Sequence, residues 1–206
     1  MSPLELLDRL VAKELQADLS GVVIGREIIV LGETSSTNDA ILQMAKGNPK
    51  EGLVVFAEHQ TAGRGQRGNR WESAAGKGLC FSILLRPKID INRSPRLTAW
   101  AAKAVADTIQ NELSLKTTIK LPNDVQIDGR KVAGVLVEMR AREKAPHLAI
   151  AGIGINVNQS LQDFAKELRG QAISLAMALN RQVDRQKFAV AVLRNLGRTY
   201  REAFGS

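Results

Sequence analysis

The chain has 206 residues, 44% of them apolar and 24% charged, which suits one packed α/β domain or one domain with a small appendage. No apolar run approaches the roughly 20 residues of a membrane-crossing helix, the N-terminus mixes charges into its apolar residues unlike a signal peptide, and one cysteine, Cys80, excludes an internal disulfide, so a cytoplasmic setting is expected. Lysine and arginine total 29 against 21 acidic residues, a net +8 that favours anionic partners of any kind, while two histidines, His59 and His147, and one cysteine argue against a Cys/His zinc site.

Residues 3–17 are expected as a short helix, with Leu6, Leu7, Leu10 and Val11 at helical spacing. Residues 27–31 predict a strand. Ser36 followed by Asp39 is a helix-start pattern, because a hydroxyl and a carboxylate satisfy free backbone N–H groups, and an apolar period then runs to about Lys46. Residues 53–59 predict a strand and residues 61–78, with five glycines and four basic residues, a loop that is mobile when empty. Residues 79–86 predict a buried strand. Ser94 as cap and Pro95 at the first position open a helix, whose stripe is Leu97, Trp100, Ala101, Ala104, Val105, Ile109 and Leu113. Strands are expected near 117–121 and 125–127, then a two-residue hairpin turn at Asp128-Gly129, then strands at 131–139 and 147–156. Two or three helices finish the chain, the last near 184–204 with Ala189, Val192, Leu193, Leu196, Tyr200 and Phe204 on one face. So many consecutive strands do not fit a doubly wound parallel sheet; an α+β fold with a mixed, mostly antiparallel sheet flanked by helices is predicted.

The most informative segment runs from Gly63 to Trp71, where glycines alternate with Arg64 and Arg67. Missing side chains let backbone N–H groups converge on an anion, guanidinium forks hold phosphate oxygens in pairs, and Trp71 offers a flat surface to a purine. This is a nucleotide or nucleic-acid loop, with a solvated loop and an RNA-binding Arg-Gly segment as the other readings. Gly152 and Gly154 lie two apart on a strand, so they leave one face bare for a flat ligand, or else mark a bulge. Lys131 by itself reads as an ordinary surface lysine.

Taken together, these motifs resemble those of biotin–protein ligases: Ser36-Thr37-Asn38, Gln60 ahead of the Gly63–Trp71 loop, Lys120-Leu121-Pro122-Asn123-Asp124, Lys131-Val132-Ala133-Gly134, and the segment 152–158. Order and spacing agree over about residues 22–180. The resemblance implies the biotin/lipoate ligase fold, related to class II aminoacyl-tRNA synthetases, and a two-step reaction. Biotin and ATP give biotinyl-5′-AMP and pyrophosphate, and a lysine of a biotin carboxyl carrier protein or domain, of acetyl-CoA carboxylase or another biotin carboxylase, then takes the biotinyl group. It further implies Lys131, Arg64 and Arg67 as catalytic residues. Biotin would be held by Ser36, Thr37, Asn38, Gln60, Gly63, Arg64, Gly65, Gln66, Lys131, Gly134, Gly152 and Gly154. ATP and the adenylate would be held by Arg64, Arg67, Trp71, Lys120, Asn123 and Asn156, with Asp124 as the Mg²⁺ ligand. Ser36 can serve as helix cap, as pocket residue, or as both.

Gln66 and Asn69 stand where the family commonly has arginine, and Leu121 where it usually has tryptophan; that position is expected to pack and to affect pocket shape rather than chemistry. Residues 1–21 resemble an N-terminal helix or linker, residues 22–206 the catalytic domain, and the expected organisation has no helix-turn-helix domain, hence no DNA operator, and no C-terminal SH3-like domain. A homodimer is an expectation from the free sheet edge and from relatives that pair in this way; no membrane association is expected. The competing readings are a nucleic-acid-binding protein, a lipoate ligase, and a weakened relative that binds biotin without transferring it.

Overall fold

The structure is a computed structural model that describes residues 8–19, 21–72, 74–141 and 147–205. Its frame is a seven-stranded sheet of β1 (Glu27–Thr34), β2 (Leu53–Gln60), β3 (Leu79–Leu85), β4 (Thr118–Lys120), β5 (Asp124–Ile127), β6 (Arg130–Arg140) and β7 (Leu148–Ile155), in the order β1-β2-β3-β7-β6-β5-β4. Only the β1–β2 pair is parallel, because α2 (Thr37–Met44) crosses between those strands; every other neighbouring pair is antiparallel. This is the mixed, mostly antiparallel α+β sheet expected from the strand-rich order.

The two long helices, α3 (Ser94–Leu113) and α5 (Arg185–Phe204), cover one face. Leu97, Trp100, Ala101, Ala104, Val105 and Ile109 of α3 are buried, as are Ala189, Val192, Leu193, Leu196 and Tyr200 of α5. They pack with Val54, Phe56, Phe81, Ile83, Val135 and Ile153 of the sheet into the main core, where each fully buried large aliphatic side chain contributes about 1.5–3 kcal/mol. The opposite face carries α2 and a smaller cluster containing Ile41, Leu53, Val55, Leu84 and Ile150. Alternation along β3 thus sends Phe81 and Ile83 to the main core and Ser82 and Leu84 to the α2 face. Asp128 and Gly129 both take positive φ between β5 and β6, as a tight hairpin turn requires.

Several boundaries differ from expectation. Within the described residues the first helix, α1, covers only Ala12–Ala17; residues 8–11 are not helical, and Leu6 and Leu7 lie outside the described residues. Leu10, Leu15 and Leu19 are buried in the main core, so residues 8–19 pack onto the domain. Arg185 fastens them: 1% exposed, it donates to the Asp8 and Gly78 carbonyls and pairs with Glu58 at 2.6 Å, while the other Glu58 oxygen accepts from the Leu10 N–H. Ser94 is the first residue of α3 rather than its cap; Arg93 occupies the cap position after a short turn at Ile91–Arg93. A short helix, α4 (Leu175–Leu179), capped by the Ser174 hydroxyl, precedes α5. Among the described residues no helix is long and apolar enough to cross a membrane.

Candidate active site

The polar end of the site is built where α2 begins against the sheet. Ser36 occupies the cap position in extended conformation, yet its hydroxyl makes no cap bond; the residue is buried and lines the cavity. Of its two expected roles, the structure leaves the pocket role. The next two residues are tied down by the strands beneath them. Gln60 Oε1, at the end of β2, accepts from the Thr37 backbone N–H at 2.8 Å and from its hydroxyl at 3.1 Å. Ser82 Oγ on β3 lies 2.7 Å from Thr37 Oγ1 and 2.5 Å from Asn38 Oδ1, and Asn38 Nδ2 donates to Glu138 on β6 at 2.6 Å. A row of polar groups is therefore fixed in orientation on an otherwise apolar sheet, the arrangement by which a pocket orients a small polar head group.

Residues 63–71, expected as a loop, form one, doubled back on itself as a flap and pinned by a single antiparallel bridge. Gly63 O accepts from the Trp71 N–H, Gly65 N–H donates to Asn69 O, and Arg64 and Arg70 face each other across the bridge. Its tip turns at Gln66–Gly68, where Arg67 and Gly68 take positive φ. Gly63 admits no side chain, since a Cβ there would overlap the Trp71 carbonyl. Arg64 reaches down to Asp39 Oδ2 at 2.5 Å and Glu138 Oε2 at 3.1 Å, and the hydrogen bond to Asp39 raises its pKa above the ordinary arginine value. Arg67 at the tip is exposed and, among the described residues, has no ion-pair partner.

The glycine floor is present but not bare. Gly134 pairs with Gly154 across β6–β7, and Gly152 pairs with Ser82 and Leu136. A methyl group on Gly152 would overlap the Asn38 amide, and one on Gly154 would overlap the Trp71 indole. The missing side chains make room for the protein's own Asn38 and Trp71, so the bulge reading is not needed. Trp71 Nε1 is buried and has no hydrogen-bond partner among the described residues.

Trp71 and Lys131 both line two adjoining cavities. The first, between α2, the flap and the glycine floor, keeps about 40 Å³, room for only a few waters. The second, of about 290 Å³, is bounded by Arg70, Glu72, Lys120, Asp124, Asn156, Phe164, Leu168 and Gln171 among others. Lys131 stands at their junction because its backbone is gripped on both sides: its N–H donates to Gln171 O, and its carbonyl accepts from Ile173 N–H and from the buried Asn156 amide. Its ammonium lies 2.7 Å from Asp124 Oδ1 and 5.6 Å from the Trp71 ring centroid.

Ser36, Thr37, Asn38, Gln60, Arg64, Gly65, Lys131, Gly134, Gly152 and Gly154 meet around the first cavity, together with Trp71 and Asn123. Asn123, expected at the nucleotide, lines the first cavity and not the second, and its amide donates to Val135 O; Asn156 lines the second cavity while its amide is spent on backbone carbonyls. Gly63, Gln66 and Arg67 line neither cavity. Asp124, the expected Mg²⁺ ligand, pairs with Lys131, and the described residues hold no group of three acidic, histidine or cysteine side chains that could take a metal ion; a Mg²⁺ carried by nucleotide phosphates would need only one or two carboxylates. Leu121, expected to pack, is 78% exposed and lines neither cavity. Sequence reasoning passed over Asp39, Arg70, Ser82, Glu138 and Phe164. Three of them carried a signal: Ser82 as the single polar residue inside the buried run Leu79–Leu85, Asp39 in the helix-start pattern, and Arg70 among the basic residues of the glycine-rich loop.

Comparison with known proteins agrees with this geometry. Residues 31–156 match the biotin/lipoate A/B protein ligase family. The bifunctional ligase/repressor BirA of Bacillus subtilis is 39% identical over 194 residues, 94% of this chain and 60% of that protein. The biotin–[acetyl-CoA-carboxylase] ligase of Mycobacterium tuberculosis is 33% identical over 190 residues, 89% of this chain and 68% of that protein. The chain thus spans about 60% of the length of BirA. Among solved structures, the biotin protein ligase of Aquifex aeolicus in complex with biotin and ATP superimposes with a TM-score of 0.73 at 30% identity, over 87% of this chain and 74% of that one.

Proposed function

Because the chain belongs to the biotin/lipoate A/B protein ligase family, we propose that it is an ATP-dependent biotin–protein ligase. A biotin carboxylate oxygen attacks the α-phosphorus of ATP and expels pyrophosphate, leaving biotinyl-5′-AMP. The amine of a carrier-domain lysine then attacks the acyl carbon, the amide forms with loss of a proton, and AMP departs. The relatives named as biotin–[acetyl-CoA-carboxylase] ligases support a biotin carboxyl carrier domain as the acceptor.

The observation that carries this reading is the position of Lys131 at the junction of the two cavities. An acid in the first cavity, admitted by displacement of Trp71 and the flap because only about 40 Å³ is open there, and a nucleotide in the second would meet at its ammonium. Two anions must approach there, and a fixed cation in a site shielded from water lowers that cost. Trp71 divides the compartments, and the flap covers the first against water. No nucleophilic side chain is required, since the carboxylate and the carrier amine both come from substrates. Asp124 holds Lys131 in place; no step is assigned to Mg²⁺. The polar row at Ser36, Thr37, Asn38 and Gln60 favours biotin over lipoate, because a ureido ring offers two N–H donors and a carbonyl whereas a dithiolane ring offers none. Either edge strand, β1 or β4, is a surface through which the expected homodimer would form.

The test is intact-mass measurement of a biotin carboxyl carrier domain after incubation with the protein, ATP and either acid. Addition of one biotinyl group, with AMP released and no reaction with lipoate, is the expected result. An unmodified carrier, or equal lipoylation, contradicts the proposal.

A further inference from the structure

An arginine that serves phosphate has to be available to it. Arg64 is not: Asp39 and Glu138 both hold its guanidinium, so two negative charges surround one positive. These three side chains are each about 40% exposed or less, so the contacts survive screening better than fully exposed pairs. Each carboxylate also sits on an element that builds the polar row. Asp39 directly follows Thr37 and Asn38 in the first turn of α2, where the helix N-terminus favours an anion. Glu138 accepts from Arg64 and Asn38 through the same oxygen, Oε2. Arg64 in turn belongs to the arm of the flap that begins at Gly63, beside Gln60.

We infer that Asp39 and Glu138 are positioning residues that hold Arg64 as the anchor of the flap, so that Arg64 registers the flap on the polar row and is not a phosphate ligand. This reading differs from the expectation that Arg64 clamps phosphate. The contacts act on the ligand-free protein; their effect on biotin rests on the ligase reading.

The test has two arms, made on the full chain. The first needs no ligand: tryptic cleavage after Arg67 and Arg70 is timed in the wild type and in Asp39→Asn, Glu138→Gln and Arg64→Gln, with Asp107→Asn on the outer face of α3 as control. Glutamine at 138 still accepts from Asn38, so the polar row is kept, and Asp39→Asn tests the anchor independently. Each of the three variants is expected to be cleaved about five- to tenfold faster, the weight of one charge-assisted hydrogen bond at a half-exposed position. Asp39→Asn added to Arg64→Gln should bring little further increase, because both changes break one interaction. Cleavage at the wild-type rate, or effects of Asp39→Asn and Arg64→Gln that multiply, overturns the anchor. The second arm measures biotin dissociation and the KM for ATP. Faster biotin release by a similar factor, with the KM for ATP changed less than about twofold, agrees with the anchor; a KM for ATP that rises in step in Arg64→Gln makes Arg64 a phosphate ligand and overturns it. A wild type that binds no biotin removes the ligase reading, and the cleavage pattern then decides the anchor alone.

Discussion

Lys131 Nζ stands 2.7 Å from Asp124 Oδ1 and lines both cavities of the site. The ammonium is therefore held in position before any substrate arrives, which is what electrostatic preorganisation requires. Lys131→Ala is expected to lower the rate of adenylate formation by about 10²-fold or more, and to lower the thermal unfolding midpoint modestly, because it leaves the buried Asp124 Oδ1 without its partner. Single-turnover measurement of biotinyl-5′-AMP, alongside a melting curve, checks both halves; near-normal turnover removes Lys131 from the chemistry.

Gly154 is the position at which the Trp71 indole rests on the sheet. Gly154→Ala should cost about 1–3 kcal/mol through overpacking and weaken biotin binding by displacing the divider between the cavities. In a Trp71→Ala background the same substitution should cost much less, since the two changes act on one contact. Urea denaturation of the four proteins measures the coupling; additive costs would mean that the indole does not rest there.

Arg70 lines the second cavity, and Arg67 does not. Arg70→Gln is accordingly expected to raise the KM for ATP by about five- to tenfold, the loss of one charge-assisted contact, with Arg67→Gln affecting it less. Steady-state kinetics at saturating biotin compares them, and the reverse order would transfer the phosphate contact to the flap tip.

Asp163 gives a pH signature away from the site. Burial pushes its carboxyl up, but hydrogen bonds from Lys77 and Ser160 outweigh burial and bring its pKa below the ordinary 3.8. A depressed folded-state pKa contributes stability that is present above 3.8 and lost as pH falls through the lower folded value. Asp163→Asn should therefore be less stable than the wild type at pH near 6, with the gap closing in strong acid. Melting midpoints across that range test the sign; a gap that widens toward acid contradicts it.

Much of this was legible in the sequence, for physical reasons that can be named. The stripe from Leu97 to Ile109 and the face from Ala189 to Tyr200 identified the two long helices, because burial selects apolar residues at the helical period. Lys131, Gly134, Gly152 and Gly154, named from motifs far apart in the chain, line one cavity. What the glycines admit was not readable: an absent side chain signals close approach, and here the occupants are Asn38 and Trp71. Nor did local pattern disclose how Arg64 is used, since its partners Asp39 and Glu138 lie 25 and 74 residues away. Leu121 was expected to pack because it stands where the family usually has tryptophan, yet the turn between β4 and β5 leaves it in solvent.

Biotin-dependent exchange of labelled pyrophosphate into ATP tests most directly whether the two cavities join a small acid to a nucleotide across Lys131. Exchange is expected with biotin, little with lipoate, and the biotin signal should be lost in Lys131→Ala. Exchange of equal size with both acids, or with neither, would contradict such a joining.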